Sequence, residues 1–373
     1  ETLPARSTMS ENLNCVSNET RQEIVIAQLT EVENEGLDDF REMTTDTTGV
    51  WADTAYPTDA SILVKLAQRL WNRASSLEKI DESLENYPSH WTEYGLGIMR
   101  ICQYEIQFSN HNGTYKKWYR KLYEQAEKIH EHLAQQAQVF KQRFCPEEYR
   151  PSRRERIQTR QRKIREDLTA LKKVIEYSRK RVLESKSTPA SEKVLSVGDP
   201  DASWIEKGGR DPVVGYRPRV TRSGEGFVTE LNVPVGNPSD STQLKEAVEA
   251  HEANTGVLPR DISVDDGFAN KTQREALQQH DSIETVCITG AKGKRMTPDE
   301  QWESESYQRM RRKRSAVESL IFSLKDGFSF GRGARRGIEA VRAELLEDVL
   351  AYNVCQIVRI RERKQEEKIP KAA

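Results

Sequence analysis

DISVDDGFANKTQREALQQHDSIETVCITG, residues 261–290, decides how this chain folds. Its first piece, DISVD, alternates, with Ile262 and Val264 on one side and Asp265 closing the run. Its last piece, TVCITG, is a second short apolar run. Between them NKTQREALQQH reads as a helix, with Thr272 and Glu275 at the spacing of a capping box. Strand, helix and strand in this length predict a parallel crossover within an α/β layer. In such layers chemistry gathers at the carboxyl ends of strands, which makes Asp265 a candidate site residue. Asp266, its neighbour in the DDG turn, is a rival.

The surrounding region, about 193 to 300, keeps a period of two. KVLSVGD, GYRPRVTRS and FVTELNVPV are further strand candidates, and SGEG (223–226) is a hairpin turn between the last two. Asp199 closes KVLSVGD and so also ends a predicted strand. Upstream, Asp46 lies in MTTDTTGVW, a β-branched segment bounded by Gly49. Pro57 and Thr58–Asp59 signal a turn and a helix start.

From about 60 to 188 the pattern is helical. Two long helices are expected, GTYKKWYRKLYEQAEKIHEHLAQQAQVFKQRF and RERIQTRQRKIREDLTALKKVIEYSRKRVLESK. In the second, Ile157, Ile164, Leu168, Leu171, Ile175 and Val182 recur at coiled-coil-like spacing, which predicts a helical hairpin that buries them. STPASE (187–192) breaks the pattern. The chain therefore divides into a helical N-terminal segment (1–45), a first strand with its acid (46–60), a helical insertion (61–190), core strands (191–300) and a helical part with a basic tail (301–373).

Composition narrows the function. The chain has 373 residues, 31% of them charged, with a net charge of only -1. Local clusters stand out from that balance: RPSRRER, SRKR, RRKR and GRGARRG. Such clusters are solvated faces or phosphate-binding surfaces. No apolar run is long enough for a membrane span, and no secretory signal pattern is visible, so a cytoplasmic protein is expected. Five scattered cysteines without a CxxC pair read as reduced thiols. GAKGKRM and GRGARRG imitate phosphate loops with the wrong spacing or context.

A third acid completes a pattern. In RMRRKRSAVESLIFSLKDGFSFGRG (309–333), Glu318 lies in an apolar helical run with Arg314 four residues before it and Lys325 seven after. These positions share one side of a helix. Three carboxylates, Asp46, Asp265 and Glu318, would make a hard-oxygen site for Mg²⁺ or Mn²⁺. Two such ions about 3.5–4 Å apart serve phosphodiester chemistry. Arg314 and Lys325 would then meet DNA phosphates.

The order R-x3-E-x6-K at Arg314, Glu318 and Lys325 resembles the Y-x2-R-x3-E-x6-K signature of DDE transposases from bacterial insertion sequences. DTTGVWADTAYPTDASIL (46–63), GNPSDSTQL (236–244), VDDGFANK (264–271) and LAYNVCQIVR (350–359) resemble further blocks of that family, in its order. The resemblance implies an RNase H-like mixed sheet flanked by helices, with a long all-helical insertion after the first strand. It implies metal-dependent cleavage at transposon ends and strand transfer into target DNA. DNA terminal inverted repeats and target DNA would be partners, and a homodimer on paired ends is the family's arrangement. Asp46, Asp265 and Glu318 would be the catalytic and metal-holding triad, with Arg314 and Lys325 contacting DNA. The signature Tyr is Arg311 here, a cation in place of a hydroxyl and a third candidate DNA contact. A catalytically inactive descendant that kept the fold is the second reading.

Overall fold

The computed structural model describes residues 5–54, 58–80, 90–109, 114–189, 192–206 and 211–368. Pro57 of the expected turn and Ala190–Ser191 of the expected boundary lie outside them. The chain divides into two compact units, one built from Glu1–Asp53 with Asp201–Ala373 and the other from Thr54–Pro200.

The first unit opens with helices α1 (Arg6–Cys15) and α2 (Asn18–Asn34). Strand β1 (Glu42–Thr47) follows, beginning before the expected boundary at 46, and then the short β2 (Val50–Trp51). The second unit supplies α3 (Asp59–Glu78), α4 (His90–Phe108), α5 (Tyr115–Arg143) and α6 (Pro151–Leu183). The chain then returns to the first unit with β3 (Ser203–Ile205), β4 (Val213–Tyr216), β5 (Arg219–Ser223), β6 (Val228–Asn232), α7 (Leu244–Thr255), β7 (Asp261–Val264), α8 (Lys271–Gln278) and β8 (Thr285–Ile288). Helices α9 (Gly290–Met296), α10 (Asp299–Trp302), α11 (Glu305–Lys313), α12 (Ser315–Gly327) and α13 (Ile338–Lys368) complete it.

The main sheet runs β6-β5-β1-β7-β8. β5 pairs antiparallel with β6 and with β1, whereas β7 lies parallel to β1 and to β8. This is the RNase H-like mixed sheet that the resemblance implied. The crossover predicted over 261–290 is present as β7, α8 and β8. Met43, Ile262, Val264, Val286 and Ile288 pack with Leu244, Val248 and Leu277 in one apolar cluster. β7 and β8 are buried along their whole length, as parallel strands covered on both faces must be.

The edge strand β6 is closed by α13. The Asn353 amide accepts a hydrogen bond from Val228 N and donates one to Val228 O, so a side chain stands in for a neighbouring strand. In the SGEG hairpin Gly226 N–H donates to Ser223 O, and Gly226 takes a left-handed φ of 99°. A second sheet runs β2-β4-β3.

Three local expectations are corrected. KVLSVGD forms no strand: Val194 and Val197 pack against the helical bundle instead of pairing. GYRPRVTRS is two strands, β4 and β5, interrupted at Arg217–Pro218, where proline has no N–H to donate to a ladder. The cap of α8 is Asn270, whose Oδ1 accepts from Gln273 N, and not Thr272.

The second unit is a bundle of α3 to α6 around one large apolar cluster. Thr58 and Ser61 form a reciprocal capping box at the start of α3. All six residues of the predicted α6 stripe are buried, but α3 as well as α5 packs on α6, so the hairpin is part of a larger bundle. Buried Asp167 on α6 receives Arg69 and Arg73 from α3, each at 2.5 Å. All five cysteines are free thiols. Among the described residues no helix is long and apolar enough to cross a membrane.

His251 gives the sheet unit an acid-sensitive element. It is fully buried on α7, with Nε2 2.9 Å from Phe40 O and Nδ1 2.8 Å from Thr229 Oγ1. A carbonyl can only accept, so Nε2 carries the proton and Nδ1 accepts from the threonine hydroxyl. Burial pushes this imidazole down to about 4 from its ordinary 6.5, against a smaller opposing effect of the Phe40 carbonyl. The unfolded chain takes up a proton as pH falls below about 6.5, and the folded chain refuses it until about 4. Stability is therefore full above pH 6.5 and falls by about 3 kcal/mol as pH drops to 4. Urea unfolding at pH 7 and 4.5 measures this, and His251→Gln is expected to flatten that part of the profile.

Candidate active site

β1 and β7 are adjacent and parallel, with Thr44 opposite Ser263. Continuing that register by two residues sets Asp46 beside Asp265, both at the carboxyl ends of their strands. Period-two alternation turns Met43 and Thr47 to one face of β1 and Asp46 to the other. The Met43 face carries α7; α12 packs on β1 and β5 and brings Glu318 toward Asp46.

The three acids meet at one guanidinium. Arg314 Nη2 lies 3.7 Å from Asp46 Oδ2 and 3.5 Å from Asp265 Oδ2, and Nη1 donates to Glu318 Oε1. Asp46 is buried, Asp265 is largely so, and Glu318 is half exposed. Burial opposes the charge on Arg314, but the hydrogen bond to Glu318 and the charges of Asp46, Glu318 and Asp265 outweigh it and raise its pKa. Arg314 stands at a one-residue break between α11 and α12, where a continuous helix was expected. Its i,i+4 relation to Glu318 survives the break.

The guanidinium faces a cleft of about 720 Å³ lined by Asp46, Gly49, Trp51, Arg314, Glu318 and Lys325 among others. Lys325 Nζ donates to Gly49 O at 2.9 Å, so it joins α12 to the turn after β1. Trp51 donates to Gly331 O and accepts from Gly333 N, which fixes the wall formed by the segment after α12.

Arg311 is not brought to this cleft. It projects from α11 over the Trp302 ring, 4.8 Å from the centroid, because α10 offers it an aromatic face. Asp266 is also drawn away: its Oδ1 accepts from Lys292 N and Gly293 N at the start of α9. Asp199 belongs to the other unit, ends no strand, and is fully buried with its N–H donated to Ser196 Oγ.

A buttress behind Asp46 escaped sequence reasoning. Arg217 Nε donates to Thr47 Oγ1 at 3.0 Å, Thr47 Oγ1 donates to Asp240 Oδ1 at 3.0 Å, and Arg217 Nη2 pairs with Asp240 Oδ2 at 2.5 Å. The backbone atoms beside the acids are engaged too: Asp46 Oδ1 accepts from Thr47 N and Asp265 Oδ1 from Gly267 N. A Cβ on Gly267 would come within 2.9 Å of Asp265 Oδ1 and 3.1 Å of Asp240 Oδ2, so a larger residue there would push the two carboxylates aside. The one signal for this buttress was the position of Asp240 inside GNPSDSTQL.

Among the described residues no three metal-ligating side chains stand close enough to hold a cation as they are. The donor set nonetheless suits a hard divalent ion, being carboxylate oxygen only, and a positive charge already sits among the three acids.

Residues 183–354 match the family described as a transposase DDE domain. The match spans Arg314, Glu318, Lys325 and Asp265 and does not reach Asp46. No curated protein and no solved structure matches the chain.

Proposed function

From the premise that this chain carries a transposase DDE domain, we propose that it cuts DNA at transposon ends and joins the freed ends to target DNA. The observation that carries this reading is the meeting of Asp46, Asp265 and Glu318 on the one guanidinium of Arg314. Acids far apart in the chain are held at one point, on the carboxyl ends of two parallel strands and on a helix beside them.

In this reading Asp46, Asp265 and Glu318 hold Mg²⁺ or Mn²⁺, two ions in all. Bound ions of this kind supply charge neutralisation and activation of the attacking oxygen at a phosphodiester. The chain's own residues prepare that chemistry. The Arg217–Asp240–Thr47 buttress holds the end of β1, so Asp46 is presented in one position. Asp265 is fixed by its hydrogen bond from Gly267 N, and Glu318, on α12, is the most exposed of the three and is held by Arg314. When DNA arrives, Arg314 exchanges its carboxylate partners for a phosphate, which it can grip with two parallel hydrogen bonds. Lys325 and Trp51 line the wall along which the strand passes. A dimer holding two ends is part of the same proposal.

Nicking of a supercoiled plasmid tests the reading. Relaxed and linear products are expected with Mn²⁺ and none with EDTA. A chain that binds the plasmid but leaves it intact under every divalent ion is an inactive descendant, and the proposal fails.

A further inference from the structure

We propose that the N-terminal half of α6, in the helical unit, grips the phosphate backbone of duplex DNA. The inference rests on the transposase reading only for the identity of the nucleic acid. Its basis is the charge of one segment. Residues 150–165 contain eight Arg and Lys against the single acid Glu155, in a chain whose net charge is -1.

The helix arranges these charges. Ile157, Ile164 and Leu168 are buried and fix the inward face of α6. Arg156, Arg160 and Lys163 recur at steps of four and three, so they line up beside that face. With Thr159, Glu155 and Arg73 of α3 they line a groove of about 520 Å³. Arg73 is already committed to the buried Asp167, and Arg162 pairs with Glu166 at 2.9 Å. Arg156, Arg160 and Lys163 have no carboxylate partner among the described residues.

Three features select a duplex backbone. Seven of the eight cations are arginine, whose planar fork matches phosphate oxygens. The segment also carries Ser152 and Thr159, neutral donors of the kind that contact phosphates. It contains no aromatic residue, whereas binding of single strands relies on stacking bases against aromatic rings.

The test uses the full chain in EDTA and fluorescence anisotropy with a short duplex of arbitrary sequence. The triple variant R156E/R160E/K163E is compared with K172E/K173E/K180E, which reverses three charges further along the same helix. The first is expected to weaken binding at least about tenfold at 0.1 M salt and to make the slope of log K against log salt shallower by about 2 to 3. The second is expected to change affinity by less than about twofold. R156A/R160A/K163A, with unchanged far-UV circular dichroism, should weaken binding in the same direction and guards against a folding defect. Equal loss in both triple reversals, or none in the first, overturns the proposal, as does unchanged duplex affinity with lost binding of an acidic protein. Plasmid nicking separates the two readings. A wild type that binds duplex through this face but never nicks leaves this inference standing and removes the catalytic one. Normal nicking with unaltered binding in R156E/R160E/K163E does the reverse.

Discussion

Asp265→Asn is expected to remove Mn²⁺-dependent nicking by about three orders of magnitude or more, which corresponds to roughly 4 kcal/mol of barrier. The amide keeps the shape of the carboxylate, and its Oδ1 can still accept from Gly267 N, so the turn after β7 survives. What it loses is one of the three carboxylates that share Arg314 as a counter-ion. A hard divalent ion depends on that charge for binding and for its effect on a phosphodiester. Glu318→Gln is expected to behave in the same way, and with less cost to folding, because this side chain is half exposed. Duplex binding in EDTA should stay within about twofold of wild type for both, since phosphate contacts supply most nucleic-acid affinity. Nicking at the normal rate by either variant would falsify the assignment of the triad. Loss of nicking together with loss of DNA binding would point to misfolding, which the unfolding midpoint would reveal.

Much of this site could be read from the chain because strand ends announce themselves. Asp265 closes a run whose alternation matches β7, and Asp46 sits among β-branched residues in β1. The helical insertion was equally plain, since Ile157, Ile164 and Leu171 repeat at a spacing that only a buried helix face explains. The failures have one cause, the absence of a partner in the local pattern. Leu195 and Val197 alternate like a strand, yet Val194 and Val197 lend their apolar surface to a helical bundle, which periodicity over seven residues does not distinguish. Asn270 and Thr272 both have capping chemistry, and only the path of the chain selected Asn270. The buttress of Thr47, Arg217 and Asp240 joins residues 170 and 193 positions apart, so no window of sequence contains it. Arg311 and Arg314 stand in one run of four cations, and only the fold shows that the first lies over the Trp302 ring.

Arg314 carries the second large effect, and its variants separate two roles. As the shared counter-ion of three acids it would, in the proposed reading, hold the place of a divalent ion until DNA binds. As a cation facing the cleft it is also placed to meet the phosphate under attack. Arg314→Gln should therefore move two measurements in opposite directions. Without the guanidinium, the buried Asp46 and largely buried Asp265 lose compensation, which lowers the melting temperature of the metal-free protein. The same three acids then attract Mn²⁺ more strongly, and the Mn²⁺ concentration giving half of the maximal thermal stabilisation should fall about tenfold, since a ligand stabilises the state it binds in proportion to its affinity. Nicking should nonetheless fall about a hundredfold, because the bidentate phosphate contact is gone. Arg314→Lys keeps the charge without the fork and should lie between the two in both measurements. Tighter Mn²⁺ binding with slower nicking is the signature of a residue that guards the acids before DNA arrives and serves the phosphate afterwards. Unaltered Mn²⁺ affinity in Arg314→Gln would place the guanidinium away from the acids in solution and remove the first role.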